Sequence, residues 1–245
     1  MSWVQAFHDE FLMHTLLIRK DRTDLEKDIS FLTKALRIGN GSLVLDQCCG
    51  IGSIAIPLSK RGFQVVGVDI TPLYIENAKA KSSTCELYCE DARTFTYPNC
   101  DGIFNWWTGF GYFSTDEENK KLIEQAFSSL RSGGTYLLDI PNLSGILRNF
   151  RPTMHSTHQT EMGTITLKRT TIMDLYHSRM EKEWVYRKDG VICAQHHTSV
   201  RIYGSHEIVS MFQEVGFSDI TLLGNREGSP LSLDHLRCIC IGRKP

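Results

Sequence analysis

Two spacings of apolar residues alternate along most of this chain. Short apolar runs, of the kind buried on both faces of a parallel sheet, occur at Leu43 to Leu45, Gln64 to Asp69, Cys85 to Cys89, Asp101 to Trp107 and Thr135 to Ile140. Between them the helical spacing recurs at Ser53 to about Arg61, Pro72 to Ala80 and Asp116 to Leu130. Two helical stretches precede the first strand. Trp3 to Arg19 places Trp3, Phe7 and Phe11 on one face, and Asp24 to Leu36 follows a Thr23/Glu26 capping box and stops at Gly39-Asn40-Gly41. From Ser156 to Arg201 the pattern turns to long β-rich runs: Thr164 to Leu175, Arg179 to Arg187 and Val191 to Tyr203. Lys188-Asp189-Gly190 reads as a hairpin turn there, so a three-stranded antiparallel insert is expected. A helix from Ser205 to Val215, stopped by Gly216, and strands Phe217 to Leu223 and Leu236 to Gly242 close the chain.

The pattern predicts an α/β fold: a doubly wound, Rossmann-like, seven-stranded sheet with a closing antiparallel hairpin and an antiparallel β insert as a roof. All 245 residues fit one domain. Its parts are an N-terminal helical segment over 1–38, a βα core over 42–150, the insert over 156–203 and a closing helix and hairpin over 204–245.

The chemistry gathers where the first strand ends. Asp46-Gln47-Cys48-Cys49-Gly50-Ile51-Gly52-Ser53 leads from a strand into a helix through a turn that needs glycine. Gly50-Ile51-Gly52-Ser53-Ile54-Ala55 also fits the dinucleotide fingerprint, which keeps an NAD-dependent oxidoreductase as an alternative. Asp46, four residues ahead of Gly50, argues against a pyrophosphate, because a carboxylate there suits a cationic ligand. S-adenosylmethionine carries an ammonium and a sulfonium. The segment resembles motif I of the class I S-adenosylmethionine-dependent methyltransferases, with Cys48 standing in place of the motif's first glycine. The resemblance implies that 42–150 is a cofactor-binding core, 1–38 an N-terminal helical lid and 156–203 an acceptor-side insert. Asp69, at the second strand end, is placed to accept from ribose hydroxyls, with Ile70 beside it. The resemblance implies that Asp91 takes the adenine amino group and the Ala92 backbone a ring nitrogen, with Asn105 and Trp106 at the fourth strand end completing the cofactor set.

After the fourth strand, Thr108-Gly109-Phe110-Gly111-Tyr112-Phe113 resembles the loop of sugar-amine N,N-dimethyltransferases, which implies a small-molecule acceptor such as an amino sugar or secondary metabolite. Asn105-Trp106-Trp107-Thr108 lacks the prolines found at this place in enzymes that methylate base amines. Tyr112 and Arg201 are expected to orient the acceptor and His8 to serve as a base, with Arg201 and Tyr203 both facing the cleft. His155, His158, His196, His197 and His206 are further candidates.

Net charge is -1, and no Lys/Arg cluster is present, so no nucleic-acid partner is expected. The eight cysteines include no Cys-x-x-Cys, so no metal is expected, and free thiols fit a reducing compartment. No bilayer-spanning stretch or apolar leader is read, and the expectation is a cytoplasmic monomer or homodimer away from membranes. A non-catalytic binding module of the same fold is the other alternative.

Overall fold

The computed structural model describes residues 2–18, 21–107 and 109–245. The chain opens with α1 (Ser2–Phe7), α2 (Glu10–Leu12), a π-helical turn over Met13–Leu17 and α3 (Arg22–Leu36). The βα core follows as β1 (Leu43–Gln47), α4 (Ala55–Ser59), β2 (Gln64–Asp69), α5 (Pro72–Lys81), β3 (Glu86–Cys89), β4 (Cys100–Asn105), α6 (Asp116–Ser129) and β5 (Leu130–Pro141). Next come α7 (Leu143–Arg148) and four antiparallel strands, β6 (Thr153–Thr160), β7 (Gly163–Asp174), β8 (Arg179–Lys188) and β9 (Val191–Arg201). The chain closes with α8 (Ser205–Val215), β10 (Ser218–Leu223) and β11 (Arg237–Arg243).

The main sheet has the order β10-β11-β5-β4-β1-β2-β3, with β3 to β5 parallel and β11 and β10 antiparallel. That is the expected doubly wound, seven-stranded sheet with its closing hairpin. The strands run apolar without alternation because helices cover both faces. Leu45, Val66, Ile103 and Leu138 pack with α6 and α8, while Val44, Val65, Phe104 and Leu137 pack with α3 and α4.

Three local expectations are corrected. Trp3 to Arg19 is not one helix. Asp9 takes an extended conformation and its carboxylate accepts from the Leu12 N–H at 2.9 Å, so the helix restarts there; Arg19 itself lies outside the described residues. The Thr23/Glu26 box does not form. Asp21 caps α3 by accepting from the Thr23 and Asp24 N–H groups at 2.8 and 3.3 Å, and Glu26 pairs with Arg61. The helix ends before the glycines, at Arg37 in the left-handed region (φ 56°). Finally, the insert has four strands in the order β6-β7-β8-β9. Its additional strand β6 reads Thr-Met-His-Ser-Thr-His-Gln-Thr, and its residues alternate only between exposed and half-buried. An edge strand polar on both faces leaves no hydrophobic alternation to read.

The loop after β4 is bound to the roof sheet. Asn119, fully buried on α6, accepts from the Gly111 and Phe113 N–H groups at 3.0 and 3.2 Å, and the Gly111 carbonyl accepts from the Arg201 N–H at 2.8 Å. Gly111 has φ +92°, and a Cβ there would lie 2.3 Å from the Arg201 carbonyl oxygen. Gly111→Ala is therefore expected to cost about 2–3 kcal/mol of stability by urea titration.

Candidate functional site

A cavity of about 450 Å³ lies over the carboxyl ends of β1 and β2 and beside the β4 loop. This is the rim where open α/β sheets place ligands, and the volume is ordinary for a small-molecule site. A groove of about 890 Å³ elsewhere, between α3 and the β10–β11 edge, includes no residue of β1, β2 or β4.

The turn after β1 forms the floor. Cys48 adopts φ 65°, so a non-glycine residue makes the left-handed step that the sequence requires there. Asp69 then fastens the turn to β2: one carboxylate oxygen accepts from the Gly50 N–H and the other from the Thr71 N–H, both at 2.9 Å. Asp46 is 3% exposed and lines the same floor. Burial, and next the charge of Asp69, push its carboxyl well above the usual range, against a backbone N–H from Ala55. Burial also pushes the Cys48 thiol up, with Asp69 adding to it, so Cys48 is a neutral wall rather than a nucleophile.

Ile70, Asp91, Ala92 and Trp106 continue the lining beside the floor. Partial burial raises the Asp91 carboxyl, but side-chain and backbone hydrogen bonds from Arg93 outweigh it and hold the carboxyl below its ordinary range. The Trp106 indole N–H is buried without a hydrogen-bond partner. Two expected residues stand behind the lining instead. Gly52, at φ 73°, packs on Ile56. Asn105 is wholly buried, donates to Gln47 Oε1 at 3.3 Å and accepts from the Gly109 N–H at 3.1 Å. Its place is to hold the β4 loop against the floor. Thr108 of that loop lies outside the described residues.

On the opposite side, His8 and Tyr112 line the cavity, their rings 5.9 Å apart. His8 Nδ1 lies 2.6 Å from the Val4 carbonyl, which can only accept, so that nitrogen carries a proton, and in the neutral imidazole the lone pair lies on Nε2. Burial pushes the Tyr112 phenol up, which keeps it a neutral donor. Arg201 does not reach the cavity. Strand side chains alternate, so Thr198 and Val200 line the cavity while Arg201 points to the other face. There it pairs with Glu207 at 2.6 Å and Asp116 at 3.3 Å and lies over the Tyr203 ring. Tyr203 packs on Phe110 and donates to Asp116 at 2.7 Å. The expectation that both face the cleft is corrected. None of the other candidate histidines lines the cavity; His196 contacts Asp9 at 2.9 Å, joining the N-terminal segment to β9.

Sequence reasoning passed over Arg169, Lys182 and Trp184, which the inner face of the roof presents to the cavity. The signal was present in β8: Met180, Lys182, Trp184 and Tyr186 alternate with Glu181, Glu183 and Val185, placing one lysine on an otherwise apolar face.

Residues 44–134 match a family model described as a methyltransferase domain. Among curated relatives, the human tRNA (uracil-5-)-methyltransferase homolog A is 40% identical over 47 residues, 19% of this chain and 8% of that protein. The chain spans about half or less of the length of the curated relatives it matches. Two solved structures share the fold nearly end to end. The CcbJ methyltransferase from Streptomyces caelestis has a TM-score of 0.75 at 16% identity, covering 90% of this chain and 89% of its own. CalS10, an amino pentose methyltransferase from Micromonospora echinaspora solved with S-adenosylmethionine, has a TM-score of 0.69 at 16% identity and 91% coverage of each chain. The chain thus shares the fold of S-adenosylmethionine-dependent methyltransferases, and its residues 44–134 match the methyltransferase-domain model.

The floor suits that donor. Asp46 and Asp69 face one cavity with no ion-pair partner among the described residues, and an added cation would lower the energy of both carboxylates. An acid whose folded-state pKa is raised destabilises the fold once it is ionised. That cost is absent below its unfolded pKa of about 4 and complete above its folded value. Asp46→Asn is therefore expected to raise the melting temperature of the donor-free protein at pH 8 and leave it unchanged near pH 4, as calorimetry would show.

Proposed function

We propose that this protein transfers a methyl group from S-adenosylmethionine to an amine or hydroxyl of a small molecule. The pair of acidic side chains, Asp46 and Asp69, without a cation against them carries the reading, because it favours a cationic nucleoside over a pyrophosphate. When bound, the donor supplies a methyl already activated on sulfur. Asp69 keeps lone pairs for the ribose hydroxyls beyond its two backbone bonds. Asp91, held ionised by Arg93, accepts from the adenine amino group, and the Ala92 N–H meets the ring. Asp46 faces the cationic end.

The acceptor's place is between the floor and the roof, where Trp3, Tyr112 and Trp184 help exclude water. Tyr112 donates to it, and His8 takes a proton at Nε2 when the acceptor is a hydroxyl. Enclosure by the N-terminal segment and the insert supports a small acceptor, and the amino pentose enzyme CalS10 shares this fold. The tRNA enzyme relative matches only 47 residues of this chain. Eight free cysteines support a reducing, cytoplasmic setting.

Calorimetry with S-adenosylhomocysteine and with NADH tests the reading. The demethylated donor should bind, with affinity falling about tenfold or more in Asp69→Ala, and NADH should not; tight NADH binding alone would overturn it. In turnover assays His8→Gln should lose about 10²-fold in kcat with a hydroxyl acceptor and little with an amine, at unchanged S-adenosylhomocysteine affinity.

A further inference from the structure

The roof of the cavity carries two cations that no carboxylate among the described residues pairs with. On paired strands β7 and β8, Arg169 stands opposite Trp184 and Thr171 opposite Lys182, so Arg169 and Lys182 are diagonal neighbours on one face. Both line the cavity, with the guanidinium carbon 5.5 Å and the ammonium nitrogen 5.7 Å from the Trp184 ring centre. Among the described residues neither has an ion pair, and Arg169 Nε is buried without a hydrogen-bond partner. Arg61, Arg93, Arg131, Arg201, Arg226 and Arg237 each reach a carboxylate instead. Contact with one indole face offsets only part of the cost of taking two like charges partly out of water.

We propose that the acceptor bears a compact oxyanion, a carboxylate or phosphate, held between Arg169 and Lys182 against Trp184. This rests on the methyltransferase reading and names the substrate class of that same site. The cavity is polarised, with acids on the floor and cations on the roof. An acceptor anchored by its anion at the roof turns its other end towards the floor, where the donor's cationic sulfur belongs. The two cations also repel each other: burial, then the charge of Arg169, brings Lys182 down to about 8, a shift that an anion between them would reverse. Arg169 offers a planar fork and Lys182 a point charge, a pair suited to one small oxyanion.

The test is calorimetry on the full chain saturated with S-adenosylhomocysteine, titrated with 4-hydroxybenzoate, phenyl phosphate and the neutral 4-hydroxybenzyl alcohol. At least one anion should bind about tenfold or more tightly than the alcohol. Lys182→Met and Arg169→Met, which keep the apolar stem, should each erase most of that preference while S-adenosylhomocysteine still binds. Preference for benzoate or for phenyl phosphate identifies which oxyanion the site takes. Equal binding of anion and alcohol, no anion binding, or a preference unchanged in both variants overturns the proposal. Failure of S-adenosylhomocysteine to bind at the outset would instead overturn the methyltransferase reading.

Discussion

Two carboxylates brought to one floor set the terms for this structure. Asp69 accepts from Gly50 in the turn after β1 and from Thr71 in the turn after its own strand, and so fixes where β1 and β2 end relative to one another. The left-handed step at Cys48 and the close packing of Gly109 on Cys48 and Asn105 follow from keeping that turn tight. Behind it, Gln47 is a buried hub that donates to the Leu122 carbonyl and accepts from Tyr136 and Asn105. Every buried polar group of this hub is satisfied within the protein, which makes the floor rigid. Asp46 stands apart from the hub: it has no ion-pair partner among the described residues, and its buried carboxyl lines the cavity.

The N-terminal segment is held over this floor by contacts gathered around Asp9. Asp9 caps α2, accepts from or pairs with His196 of β9, and lends its backbone carbonyl to the Tyr74 hydroxyl at 3.1 Å. Around it, Phe7 meets Trp184 at 4.9 Å between ring centres and Trp3 meets Tyr112 at 5.4 Å. Such ring pairs contribute about 0.5–1.5 kcal/mol each beyond the area they bury. The segment therefore joins main sheet, roof and cavity through contacts that are individually modest. Ser53 adds one more by donating to the Leu17 carbonyl at 3.1 Å.

What could be read in the sequence divides along physical lines. The parallel core was legible because strands buried on both faces must be apolar throughout, and Asp46, Gly50, Asp69 and Asp91 could be placed because strand ends in such a sheet converge. The break at Asp9 was not, since Trp3, Phe7 and Phe11 keep a helical spacing while one extended residue re-aims the chain. The polar edge strand β6 carries no periodic signal at all. Arg201 was misplaced although the strand period was known, because period alone does not say which face is inward. That is settled by Thr198 and Val200 lying on the cavity side. The same parity brings Arg169 and Lys182 inward, and without it a lysine beside glutamates reads as a solvated surface.

The roof is a sheet appended between β5 and α8, and its cavity-facing side chains, Arg169 on β7, Met180, Lys182 and Trp184 on β8 and Thr198 and Val200 on β9, fall at alternate positions. The main-chain ladder that holds it together is indifferent to which side chains those are. On the function proposed above, acceptor preference can accordingly drift over generations by exchange of alternate positions, while the residues proposed to hold the donor, lodged in the turns of a different sheet, stay intact. A lineage built on this plan can diversify its products without reinventing its reaction.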